Sequence, residues 1–192
     1  MYWRNTSERF GKLSIGMHWL MLLLLAAVYA CIELRVYFPR GSDLREGLKT
    51  WHFMLGLSVL ALVLVRLTIR LSGPTPSIQP SLQSWQLHSA KLTHALLYVF
   101  MMVMPILGWL TLSGEGKAVP FFGLQLPALI GPDKVFADSV AEVHETIGTL
   151  GYWLIGLHAV AALIHHYLLR DNTLLRMLPP RKARNPARVE MP

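Results

Sequence analysis

The sequence predicts an all-α fold, an integral membrane four-helix bundle, and three observations carry that prediction. Apolar residues make up 53% of the 192-residue chain and charged residues only 15%, whereas a soluble domain carries about 25% charged residues. Mean hydropathy is correspondingly positive, at +0.41. Four separate apolar runs, at about 13–33, 51–71, 90–112 and 141–169, each reach the ~20 residues that a helix needs to cross the hydrocarbon. Unpaired backbone N–H and C=O groups are too costly in lipid, so each run is expected to be helical. No connecting stretch is long enough to separate domains, and residues 1–192 read as one transmembrane unit.

The first run contains Glu33, is followed by Arg35 and ends without a small-residue cleavage pattern, so it reads as a retained helix and not a signal peptide. The loop over 36–50 is short and charged. The second run stops before Gly73-Pro74-Thr75-Pro76 and Pro80, which break a helix. The third carries Pro105, where a kink is tolerated if neighbours satisfy the freed carbonyl. The loop over 113–140 contains an apolar stretch, Pro120-Phe121-Phe122-Gly123-Leu124-Gln125-Leu126-Pro127. It is too short to span and reads either as a lid at the interface or as an ordinary packed loop.

Charge gives an orientation. With the N-terminus in the cytoplasm, that side holds 12 Lys/Arg and 3 acids, and the outer side 6 and 8; the nets of +9 and −2 account for the chain's +7. This Lys/Arg bias is the positive-inside pattern, with both termini cytoplasmic. The basic character therefore needs no nucleic acid. The basic tail from Arg181 to Arg188 reads as a further contact with anionic lipid.

Eight histidines occur, and five of them (His18, His52, His94, His144, His158) fall inside or at the mouths of the apolar runs. Ionisable groups within a bilayer usually face the bundle interior for a functional reason. Helices one and three enter from the cytoplasm, which puts His18 and His94 near that face, and His52 and His144 then lie near the outer face. His158 is 14 residues beyond His144 on one helix, about 21 Å along the axis and on nearly the same side. The fourth helix thus offers one imidazole to each of two stacked sites. His52 can complete the outer site, and either His18 or His94 the inner one. Two imidazoles per site suit the iron of a bis-histidine haem, whereas zinc would want about four ligands. Cys31 is alone and no C-x-x-C-H occurs, which excludes covalent c-type attachment. Gly56, Gly108, Gly148 and Gly151 fall where a flat cofactor would need room, although membrane helices also use glycine for close packing. Arg66, 14 residues after His52, reaches the inner depth, where it reads as a partner for a haem propionate or as an arginine snorkelling to the head groups beside Arg70.

The run His144-Glu145-Thr146-Ile147-Gly148-Thr149-Leu150-Gly151-Tyr152, continuing to Gly156-Leu157-His158-Ala159, resembles the last helix of the bacterial cytochrome b561 family. So do His165-His166-Tyr167, Asp171-Asn172-Thr173-Leu174-Leu175-Arg176-Met177, the pair His18-Trp19, and Leu34-Arg35 with Phe38-Pro39-Arg40-Gly41. The resemblance implies two haem b groups, one on His18 and His158 and the other on His52 and His144, with electrons exchanged with ubiquinone. It frees His94, and His94 and His165 match positions associated with the quinone in the superoxide-oxidising branch. It carries no role for His88 or His166.

The favoured expectation is therefore an oxidoreductase passing electrons from superoxide to ubiquinone. A local group of Arg35, Arg40, Arg45 and Lys49 could draw in the superoxide anion, or could instead anchor the loop and pair with Asp43 and Glu46. A competing expectation is a haem b subunit that takes electrons from a partner dehydrogenase or hydrogenase and passes them to quinone. A metal-ion transporter, the third class, would want Asp or Glu deep in the membrane, whereas Glu33, Glu142 and Glu145 stand at the outer ends of their runs.

Overall fold

The computed structural model describes residues 3–179, and the basic tail lies outside them. Four long helices dominate: α1 (Lys12–Leu34), α2 (Asp43–Leu71), α3 (Ser84–Gly114) and α4 (Lys134–Tyr167). All four are long and apolar enough to cross a membrane. A short antiparallel hairpin, β1 (Val119–Phe121) and β2 (Leu124–Leu126), joins α3 to α4. Sequential helices pack on one another, α1 on α2, α2 on α3 and α3 on α4. The ends of the bundle are thus a termini end and a hairpin end.

Three helices begin at least six residues before their apolar runs. α2 starts at Asp43, where Ser42 caps it by accepting from the Arg45 backbone N–H, with Asp43 and Glu46 in the first turn. Acids there suit the positive end of the helix dipole. α3 starts at Ser84 behind a capping box formed by Gln83 and Gln86, and α4 at Lys134 behind Asp133, whose side chain accepts from Phe136 N–H. Apolar length marks the lipid span; capping marks the helix. At 34 residues α4 is about 51 Å long, well beyond the ~30 Å of hydrocarbon. It ends two residues before the predicted limit, and Arg170, in a left-handed conformation (φ 56), turns the chain so that Asp171 N–H reaches the His165 carbonyl at 3.1 Å. Pro105 lies inside α3, which remains one continuous helix.

The apolar stretch of the third loop is the hairpin. Phe121 pairs with Leu124, leaving Phe122-Gly123 as a two-residue turn. Both take positive φ (45° and 85°), as a type I′ turn requires. The hairpin packs down on the bundle: Val119 is buried with Leu57 and Leu112, and Phe122 stacks edge-on against Trp51. Trp109 Nε1 donates to the Pro127 carbonyl at 3.0 Å and holds the far side to α3.

The larger buried apolar cluster is formed by Met21, Val59, Val63, Leu97, Phe100 and Met101 at mid-bundle. Gly151 belongs to this packing and not to a cofactor cradle. A Cβ there would collide with the Tyr29 hydroxyl and the Phe100 ring. Tyr29 crosses from α1 to α4, donating to the Gly148 carbonyl at 2.7 Å, and Tyr152 of α4 answers by donating to Glu33 at 2.7 Å.

Candidate functional site: two stacked histidine cavities

Two cavities lie along the bundle, and Leu25 and Met101 line both, so the wall between them is one side chain thick. The cavity at the hairpin end has a volume of about 600 Å³ and that at the termini end about 220 Å³.

His52 of α2 and His144 of α4 face each other in the hairpin-end cavity, with ring centroids 6.2 Å apart and planes at 75°. At the termini end His18 of α1 and His158 of α4 repeat the same 6.2 Å and 75°. Metal-to-nitrogen bonds of about 2 Å put two imidazoles on opposite sides of one metal ion at a centroid spacing of roughly 6 Å. His52 Nδ1 meets the Val28 carbonyl at 3.0 Å, which fixes the ring and leaves Nε2 free, as for metal-ligating histidine generally. His94 also lines the termini-end cavity but stands closer to His158, at 5.2 Å. Among the described residues no group of three or more His, Cys, Asp or Glu is placed to surround one metal ion. The pairs offer two ligands each.

The walls fit a flat, partly anionic group. A Cβ on Gly56 would meet nothing within 4 Å, and Gly108 and Gly148 complete the glycine lining of the hairpin-end cavity. Six buried side-chain polar atoms among the described residues lack a hydrogen-bond partner. Five of them belong to cavity-lining residues: Arg35 and His144 at the hairpin end, Arg66, Thr173 and Arg176 at the termini end. Buried polar groups are ordinarily satisfied, so their concentration on two cavities marks these as places built for a ligand.

A model of the prokaryotic cytochrome b561 family matches residues 9–180. The chain belongs to the prokaryotic cytochrome b561 family. It is 40% identical over 175 residues to cytochrome b561 homolog 1 of Escherichia coli (strain K12), covering 91% of this chain and 99% of that protein. It is 37% identical to the probable superoxide oxidase CybB of Yersinia pestis, over 91% of this chain and 98% of the relative. Cytochrome b561 homolog 2 of the same E. coli strain is 27% identical over 93% of this chain and 95% of its own length. This cytochrome b561 is a bacterial membrane protein that binds haem b and serves electron transfer.

The remaining expected residues are dispersed. His165 does not line either cavity; its Nδ1 lies 2.5 Å from the Asp171 carboxylate. His88 bonds the Ser84 carbonyl of its own helix, and the buried His166 Nδ1 has no partner among the described residues. Of the four loop cations, Arg35 and Lys49 line the hairpin-end cavity and Lys117 joins them. Arg45 instead ties the loop, donating to the Arg35 and Phe38 carbonyls, and Lys49 also pairs with Glu46.

Contacts around the cytochrome's C-terminal turn gave no signal in the spacing of its histidines. Trp19 Nε1 donates to the Met177 carbonyl at 2.7 Å, so the residue after His18 pins the turn that follows α4. Arg176 lies over the Phe10 ring, and its guanidinium also donates to the Pro76 carbonyl. Asp171 is only 4% exposed. Burial pushes its carboxyl up, but hydrogen bonds from His165 and Thr173 outweigh this and hold it below its ordinary value. Its contribution is therefore complete above the ordinary carboxylate range, near pH 4, and is lost as pH falls through the lower folded value. Asp171→Asn is expected to cost about 1–3 kcal/mol, read as a lowered thermal midpoint by circular dichroism in detergent. The parent's midpoint should be insensitive to this group between pH 7 and about 4 and should drop only in stronger acid. Equal midpoints for parent and variant at pH 7 would remove the anchoring role.

Proposed function

We propose that this cytochrome b561 holds two haem b groups, on His52 with His144 and on His18 with His158, and passes electrons from superoxide to ubiquinone. The observation that carries the reading is the repetition of one ligand geometry, 6.2 Å and 75°, at two levels of the same bundle. The bound haems would supply one-electron redox chemistry, and the chain's own residues supply ligands, orientation and access. By the charge bias, the hairpin end faces outward and both termini lie in the cytoplasm.

At the hairpin end Arg35, Lys49 and Lys117 line the cavity mouth. They can attract a small anion locally, although Glu33, Glu115 and Glu145 share that lining. The likeness to a probable superoxide oxidase supports superoxide as the donor. At the termini end, His94 borders the cavity and is free of a ligand role in this pairing. His165, with Nδ1 donating to Asp171, presents Nε2 as the atom that can exchange a proton. These two histidines would serve the quinone, whose reduction consumes two electrons, from two superoxide anions, and two protons.

The deciding experiment is superoxide-dependent reduction of ubiquinone by the purified protein, followed at the quinone absorbance. The expected result is two superoxide consumed per quinol formed, abolished by superoxide dismutase. A protein with two haems that reduces quinone from a chemical reductant but not from superoxide would favour a partner dehydrogenase or hydrogenase as donor.

A further inference from the structure

We propose that Arg66, Thr173 and Arg176 seat the propionates of the haem held by His18 and His158, so that the turn after α4 is part of that binding site. The proposal rests on the two-haem reading and adds to it the residues that receive the cofactor's charged edge.

Three observations converge. The unpartnered atoms of the termini-end cavity are an Arg66 nitrogen, the Arg176 Nε and the Thr173 hydroxyl. All three can donate, and they come from two separate elements, α2 and the turn containing Leu175–Met177. Second, among the described residues this cavity is lined by Arg66, Arg70 and Arg176 and by no aspartate or glutamate. Like charges gathered on half-buried side chains favour a ligand that brings anionic acceptors. The propionates are the anionic groups of a haem, and guanidinium is suited to bind carboxylate with two parallel hydrogen bonds.

The third observation concerns Arg66 itself. Its guanidinium lies 3.2 Å from His18 Nδ1. A histidine that ligates iron through Nε2 carries its proton on Nδ1, and two donors cannot face each other. Arg66 must then turn to another acceptor. The turn is already braced to present its donors. Trp19 and Pro76 hold it from outside, and Thr173 N–H is fixed by Asp171 at 2.8 Å.

The test is a redox titration of the purified holoprotein, with the His158→Ala variant identifying which of two one-electron waves belongs to the termini-end haem. A cation beside the haem favours the ferrous form. Arg66→Gln is expected to lower the ferrous-to-ferric ratio at fixed potential about tenfold, a drop of about 59 mV, and Arg66→Lys to retain most of the parent value. Thr173→Val should shift the same wave in the same direction by less, leaving the other wave in place. Resonance Raman bands of propionate bending should move in Arg66→Gln and Arg176→Gln. Because Arg176→Gln also loosens the turn, the deciding variants are Arg66→Gln and Thr173→Val. An unmoved wave and unmoved propionate bands in both of these would overturn the assignment while leaving the two-haem reading intact. A parent that binds one haem per chain by pyridine haemochrome would overturn both.

Discussion

A His144→Ala chain is expected to retain one haem b of two, and a His158→Ala chain the other. The pyridine haemochrome yield should fall by half in each case, with different absorption and potential remaining. The reason is the way α4 distributes its imidazoles. Its two histidines lie in separate cavities divided by Leu25 and Met101, so removal of one breaks one iron's ligation and leaves the mid-bundle packing around Val59 and Val63 in place. His52→Ala should reproduce the His144→Ala phenotype, since these two rings form one pair. Loss of both haems from His144→Ala together with normal behaviour of His52→Ala would show that His144 supports folding and not a single site.

The second large effect concerns the acceptor. His94→Leu and His165→Leu are expected to keep two haems with parent-like spectra but to slow their reoxidation by ubiquinone about 100-fold, the scale of a lost proton-transfer group. Stopped-flow mixing of the reduced protein with a short-chain quinone reads this directly. His94 is the sharper probe because its ring stands 5.2 Å from that of His158. A haem lost from His94→Leu would make α3 a ligand donor and displace His18 from the pair. Parent rates in both variants would move the quinone elsewhere, with the hairpin-end mouth near Trp51 the next region to probe.

The four spans were legible because lipid imposes both a length and a hydrogen-bonding rule on whatever crosses it. The levels of His52, His144, His18 and His158 were legible for a related reason: a straight helix converts residue number into depth. The helix starts at Asp43, Ser84 and Lys134 were not. Those turns stand beyond the apolar runs, where Ser42, the Gln83–Gln86 box and Asp133 decide the boundary. The hairpin was half legible, since a glycine two residues after Phe121 marks a tight turn, but the positive φ of Phe122 has no counterpart in composition. Gly151 was left open between cofactor room and close packing because spacing along α4 cannot distinguish a cavity from a close approach by Tyr29 and Phe100. The tie from Trp19 to Met177, 158 residues apart, is a long-range contact that no local pattern encodes.

Both histidine pairs draw one member from α4, the last of the four long helices to be made. A polypeptide leaves the ribosome N-terminus first, at about 5–20 residues per second. His18 and His52 therefore reach the membrane early, and neither has its partner until the fourth span has been delivered. A chain that stops before His144 contains no complete pair at either level. Insertion of one helix thus completes both histidine pairs, so a chain that lacks α4 holds neither.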